Sequence, residues 1–435
     1  MDPIQVGIFS IFVVFFLLFL RMPVAYVMII VGMTGFSYLV SMRAAFSLAF
    51  LSLYSTFSSY SLIVVPLFVW MGFIAFHAGI SRRLYDGAYK IVGHLPAGLA
   101  LATIGACTAF GAICGSTTAT AATMGAVALP EMKRYGYNHS LATSTVASSA
   151  ILGVMIPPSV IFILYGISTG ESIAKLFLAG IVPGLLLMVL FMLVTVIIVK
   201  CNPEKAPRGA NLNIKEKLMS IVESGVEVIV IFAAVMGGLF VGLFTPTEAG
   251  AVGAGSTLFI ALLRRQLSWK GFIASLRDSI KVSAMIMFLV AGATIFGRFL
   301  ARTGITAELA NWAVSLPVPP VATLAVILFI YLVLGFFIDA LALILLTVPI
   351  FYPVVVLLGF DPVWFGVIIV LIVGMGVITP PVGANVYVVA GVDGETPVMQ
   401  IFKGCWPFLF AIILCIALLT IFPQIALFLP EMLSK

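Results

Sequence analysis

Three kinds of residue in this sequence stand where chemistry could use them. The first is a carboxylate inside an apolar run: Asp339 interrupts the hydrophobic stretch 321–351. A charge at that depth in a bilayer costs ~2.5–3.5 kcal/mol even on the mildest scale. The position predicts that Asp339 faces a cavity and meets a cation or a substrate, or else that it is protonated and structural. The second is Arg298, in KVSAMIMFLVAGATIFGRFLARTG. A guanidinium grips a carboxylate or sulfonate bidentately; close to an interface it can instead extend its head to water. The third is the hydroxyl cluster CGSTTATAATMG at 114–125, with Ser116, Thr117 and Thr120. Such hydroxyls can replace part of a cation's water shell, or bond back to the carbonyl four residues earlier and merely pack.

Each of these needs a broken backbone to be useful. In SSAILGVMIPPSV (148–160), Pro157 and Pro158 lack the N–H that a helix requires, so the helix must break there and leave carbonyls free. The second half carries GFFIDALA (335–342) and GMGVITPPVGANVY (374–387). Free carbonyls at half-helix C-termini suit sodium, and half-helix N-termini suit an anion. Segments 97–131 and 320–358 each hold a polar tip midway along an apolar stretch, and predict re-entrant hairpins rather than single long spans. Segments 140–166 and 362–391 predict broken helices. Glu248, in FTPTEAG (244–250), follows Pro246 and reads as a helix cap.

The elements around these sites must be membrane helices. Of 435 residues, 63% are hydrophobic and 9% charged, with a mean hydropathy of +1.25. Soluble chains carry about 25% charged residues, so the apolar excess here must face lipid. At ~20 residues per crossing the sequence predicts about eleven spans. The N-terminus has no basic region and no cleavage site, and reads as the first span. Tryptophans 70, 269, 312, 364 and 406 fall near segment ends, as interface anchors do. The stretch 264–281 mixes apolar and basic residues at helical spacing and predicts a helix along the membrane surface. The five cysteines match neither a metal site nor a disulfide framework. The net charge of +6 is scattered, with no basic stripe for nucleic acid. No phosphate loop, HExxH or GxSxG is present, and the three histidines are dispersed, which leaves no basis for an enzyme or an ATP-driven pump.

The chain also repeats itself. A shift of 223 pairs Pro23 with Pro246, Gly32 with Gly255, Pro130 with Pro353, Gly153 with Gly376, and Pro157-Pro158 with Pro380-Pro381. Under the same shift Ser116 corresponds to Asp339 and Ile156 to Thr379. The expected fold is therefore all-α and polytopic, with two inverted-topology repeats. Residues 1–199 would form the first repeat and 221–435 the second. The basic linker at 200–220 between them is assigned to the cytoplasm by the positive-inside preference.

The blocks GSTTATAATMGAVALPEMKRYGY, LGVMIPPSVIFILYG, LFLAGIVPG, FTPTEAGAVGA and ITPPVGANVYV resemble the large membrane (M) subunit of tripartite ATP-independent periplasmic (TRAP) transporters, across nearly the whole chain and in family order. The resemblance implies an ion-transporter architecture in a bacterial inner membrane, working as a sodium-driven elevator. It implies two partners: a small four-helix membrane (Q) subunit and a soluble periplasmic substrate-binding (P) protein. The chain starts directly in the M region, so the small subunit is expected as a separate polypeptide. Sodium ligands are implied at Ser116, Thr120, Ser149, Gly153, Ile156, Gly335, Asp339, Gly376, Thr379 and Asn385. The substrate is implied near Ser116, Thr117, Asp339 and Arg298. Arg298 departs from the large aromatic residue that many members have there.

The expected function is sodium-coupled import of a small carboxylate or sulfonate, with Na+ as the coupling ion and no organic cofactor. A stand-alone sodium- or proton-coupled anion carrier or antiporter is the alternative, and a passive channel is a second one from another class.

Overall fold

The computed structural model describes residues 1–207 and 225–433, so most of the basic linker lies outside the described residues. Every regular element in the described residues is helical. Among the described residues six helices are long and apolar enough to cross a bilayer by themselves, and the bent pair His139–Met155 and Val160–Thr169 makes a seventh. This is fewer than eleven. The physical reason is length: helices such as Val24–Leu39, Gly98–Cys114 and Pro362–Gly376 are apolar but have only 15–17 residues. At 1.5 Å per residue they reach about 22–26 Å, short of the ~30 Å hydrocarbon layer.

The offset of 223 carries over to element boundaries. Gly98–Cys114 and Thr117–Arg134 are matched in order by Pro320–Gly335 and Ala340–Leu357. After each pair comes an interrupted helix: His139–Ser149, Leu152–Met155 and Val160–Thr169 in one half, Pro362–Gly376 and Ala384–Asp393 in the other. The interruptions fall where proline removes donors. The first is bent by 42°, and Pro157-Pro158 and Pro380-Pro381 are both cis.

The halves are not separate bodies. Trp269–Thr303 packs on Val24–Leu39 and Val64–His77, Val64–His77 packs on Pro246–Leu263, and Val160–Thr169 packs on Ala340–Leu357. Polar contacts cross in the same way. The Tyr165 hydroxyl donates to the Pro362 carbonyl at 2.7 Å, and the Ser140 hydroxyl donates to the Gln400 carbonyl at 3.0 Å. Glu227, almost fully buried, is ion-paired with Arg83 at 2.7 Å and Arg264 at 2.5 Å.

Two sequence expectations are corrected. The stretch 264–281 is not a separate surface helix. From Trp269 it is the start of a continuous 35-residue helix ending at Thr303, because no proline or glycine breaks it where the polar part meets the apolar part. Its polar turns are pinned by a contact between His77 Nε2 and the Asp278 carboxylate at 3.2 Å. Trp364 is not an interface anchor: it is buried, and its indole donates to the Leu419 carbonyl at 2.8 Å. The Glu248 reading holds, since Thr245 and Glu248 form a capping box in which the Thr245 N–H donates to the Glu248 carboxylate at 2.8 Å.

Candidate substrate and cation site

The first hairpin turns at Gly115 and Ser116. Gly115 has a φ of +63°, and a β-carbon there would stand 2.7 Å from the Pro158 carbonyl oxygen. Only glycine allows that approach, and it presses the hairpin tip against the proline break. Ser116 then caps the helix Thr117–Arg134, its hydroxyl accepting from the Ala119 N–H at 3.4 Å. Thr120 sits one turn in and donates to the Ser116 carbonyl at 2.7 Å. Gly153 packs against this turn, so closely that a β-carbon would lie 2.5 Å from the Thr120 hydroxyl oxygen and 3.1 Å from the Ser116 carbonyl oxygen. Ser116, Thr120 and Gly153 are thus brought together. Ile156, in extended conformation at the break, and buried Ser149 flank them in sequence; the Ser149 hydroxyl has no hydrogen-bond partner among the described residues.

The second hairpin repeats the arrangement with different atoms. A β-carbon on Gly376 would stand 2.5 Å from the Gly335 carbonyl oxygen, so the hairpin and the broken helix meet backbone to backbone. Asp339 caps Ala340–Leu357, its carboxylate accepting from the Leu341 N–H at 3.1 Å. The Thr379 hydroxyl donates to the Met375 carbonyl at 2.7 Å. Thr120 and Thr379 therefore both bond back four residues, but a hydroxyl that donates its hydrogen keeps lone pairs for a cation. Asn385 spans the second break, its N–H donating to the Val377 carbonyl at 3.0 Å.

Asn385 also reaches the first half. Its side-chain amide donates to the Ala147 carbonyl at 3.1 Å. Ala147 is free to accept because the chain tightens after Ser149 and the Ile151 N–H bonds to Ser148 instead. This link between the two broken helices was not visible from sequence.

Ser116, Thr117 and Asp339 line one cavity of about 380 Å³. It lies between the two hairpin tips and the helices Val64–His77 and Trp269–Thr303, which contribute Val69, Phe73, Phe76, Val282, Met285 and Ile286. Those wall residues were missed because apolar positions in apolar helices carry no distinguishing signal. Arg298 is not brought to the site. It is exposed on its helix and does not line the cavity. Among the described residues no group of three or more metal-ligating side chains assembles, so a cation here must rely on carbonyls, hydroxyls and the Asp339 carboxylate, the donor set that a hard monovalent ion accepts.

The apolar, interlocked helices and the cavity between two hairpin tips fit a multi-pass membrane transporter. Comparison with known proteins then gives the family. The family described as the tripartite ATP-independent periplasmic transporter, DctM component, matches residues 11–425. The chain is 35% identical over 385 residues to the C4-dicarboxylate TRAP transporter large permease protein DctM of Pseudomonas aeruginosa, covering 88% of this chain and 89% of that one. It is 34% identical to the sialic acid large permease SiaM of Vibrio cholerae, covering 96% of both. It is 36% identical to the isethionate TRAP transporter permease protein DctMQ of Oleidesulfovibrio alaskensis, covering 86% of this chain and 59% of that one. The chain belongs to the TRAP large membrane subunit family and is a multi-pass protein of the bacterial inner membrane. In fold it is similar to the YdaH transporter of Alcanivorax borkumensis, with a TM-score of 0.63 at 16% identity and coverage of 86% of this chain and 88% of that one. It is also similar to MtrF of Neisseria gonorrhoeae, with a TM-score of 0.58 at 13% identity and coverage of 96% and 95%.

Proposed function

We propose that this chain imports a small organic anion, a carboxylate or sulfonate, using a sodium gradient. Relatives named for C4-dicarboxylate, sialic acid and isethionate support the anion class. The observation that carries the reading is that Ser116 and Asp339, at the tips of two separate hairpins, line a single cavity, each tip backed by a glycine on a broken helix. Sodium would lie at the two tip-to-break contacts. One involves Ser116, Thr120, Ser149, Gly153 and Ile156; the other involves Gly335, Asp339, Gly376, Thr379 and Asn385. The anion would sit between the tips, facing Ser116 and Thr117, where the N-termini of half-helices supply positive potential.

The paired hairpins and broken helices are read as two repeats of inverted topology. They would move together as an elevator past Val24–Leu39, Val64–His77, Pro246–Leu263 and Trp269–Thr303. The partners would be a small Q subunit and a periplasmic binding protein, as the family's tripartite description suggests.

The test is uptake into proteoliposomes holding this chain and its small subunit, with binding protein and radiolabelled carboxylates or sulfonates outside. Uptake requiring both an inward sodium gradient and the binding protein supports the reading. Uptake that ignores the binding protein favours a stand-alone carrier, and uptake that ignores sodium favours a channel.

A further inference from the structure

We infer that the anion this cavity accepts is a monoanion with a compact apolar body, rather than a dicarboxylate or a polyhydroxylated acid. The inference rests on the proposed transport reading and deepens it. The first observation is charge. Among the described residues lining the cavity the one carboxylic acid is Asp339, and no lysine, arginine or histidine accompanies it. A cargo carboxylate must therefore be met by backbone N–H groups at the N-termini of Thr117–Arg134, Ala340–Leu357 and Val160–Thr169, whose first residues reach the cavity. Partial charges of this kind are satisfied by one anionic group near the tips. A second carboxylate would face Asp339 or the apolar far wall, where no lysine, arginine or histidine offsets its desolvation cost.

The second observation is polarity. The hydroxyls of Ser116, Thr117 and Thr118 gather at the hairpin tip, while the opposite wall is Val69, Phe73, Phe76, Val282, Met285 and Ile286. A sugar acid bound there would turn hydroxyls toward groups that neither donate nor accept, and each unpaired polar group costs affinity. A branched hydrocarbon body instead removes apolar surface from water on both sides. The third observation is size. About 380 Å³ is at the small end of ligand pockets.

The test uses the detergent-purified chain, heated in sodium or in potassium at equal ionic strength, with 4-methylpentanoate, succinate or gluconate added. In sodium, 4-methylpentanoate is expected to raise the unfolding midpoint with an apparent Kd at least about tenfold below those of the other two, the scale of discrimination that apolar contacts provide. Phe73→Thr, on the apolar wall, should weaken 4-methylpentanoate and narrow its advantage over gluconate. A larger shift from succinate or gluconate overturns the inference, as does no shift from any of the three. If 4-methylpentanoate stabilises equally in potassium, the cargo class stands and sodium coupling falls. Sodium-dependent binding of succinate alone does the reverse.

Discussion

Gly376 and Gly335 meet with no side chain between them: a β-carbon on Gly376 would stand 2.5 Å from the Gly335 carbonyl oxygen and 3.0 Å from its α-carbon. The obstructing atoms are backbone and cannot swing aside. Gly376→Ala must therefore push the second hairpin off the broken helix. We expect destabilisation of about 1–3 kcal/mol from overpacking, with sodium-driven uptake lost first. Uptake assays and thermal unfolding of the same preparation check this, and unchanged sodium-driven uptake would refute it.

Asp339 combines two roles that one substitution separates. Asn is as good an N-cap as Asp, so Asp339→Asn keeps the helix start of Ala340–Leu357 while removing the cavity's charge. The expected outcome is a folded protein whose uptake no longer rises with sodium. Asp339→Ala should lose the cap as well, at about 1 kcal/mol of stability. A sodium titration of uptake in both variants tests the separation, and a normal sodium response in Asp339→Asn would remove the carboxylate from the cation site.

Arg298 gives the contrasting case. It is exposed and outside the cavity. Arg298→Ala should leave sodium-dependent uptake near that of the parent, with stability within about 0.5 kcal/mol, as for ordinary surface changes. A collapse of uptake with unchanged folding would return this arginine to the substrate path.

Asn385→Leu keeps the branching at the γ-carbon but adds volume at a fully buried position and removes the donor to Ala147. It leaves a buried carbonyl unpaired, which costs about 1–3 kcal/mol. Thermal unfolding should report that loss even without sodium, and an unchanged midpoint would show that Ala147 finds another partner.

Lys133 joins the first hairpin to the end of the second broken helix, contacting Asp393 at 3.1 Å and Glu395 at 3.0 Å. Burial alone would raise the Asp393 carboxyl, but hydrogen bonds from Thr396 and the Lys133 ammonium outweigh it and hold it below the ordinary range. The folded chain therefore gains stability from Asp393 at neutral pH. That gain is complete above the unfolded carboxylate value of about 3.9 and is lost as pH falls through the lower folded value. Lys133→Met should cost about 1.5–3 kcal/mol at pH 7, with the difference from the parent shrinking in acid. A pH series of unfolding midpoints measures it; a constant difference down to acid would exclude Asp393 as the cause.

The sequence made the breaks legible because proline cannot donate: Pro157-Pro158 and Pro380-Pro381 mark both interruptions. Asp339 was legible because a carboxylate is costly in an apolar run. Arg298 carried the same kind of signal but lies outside the cavity, since periodicity in a helix apolar on every side does not say which side faces the cavity. Phe73 and Met285 gave no signal, because a cavity wall and a lipid-facing surface ask for the same residue types. The Asn385–Ala147 bond was hidden for another reason: it depends on a carbonyl freed by tightening after Ser149, which residue types do not encode.

The interlocking of the halves bears on how the chain is made. Ribosomes release residues 1–207 first, when the Tyr165 hydroxyl, the Ser140 hydroxyl and the Ala147 carbonyl have none of the partners they hold in the finished protein. Those partners, Pro362, Gln400 and Asn385, emerge only with the last quarter of the sequence. The nascent first half must therefore stand in the bilayer without these three partners until the last quarter of the chain is made.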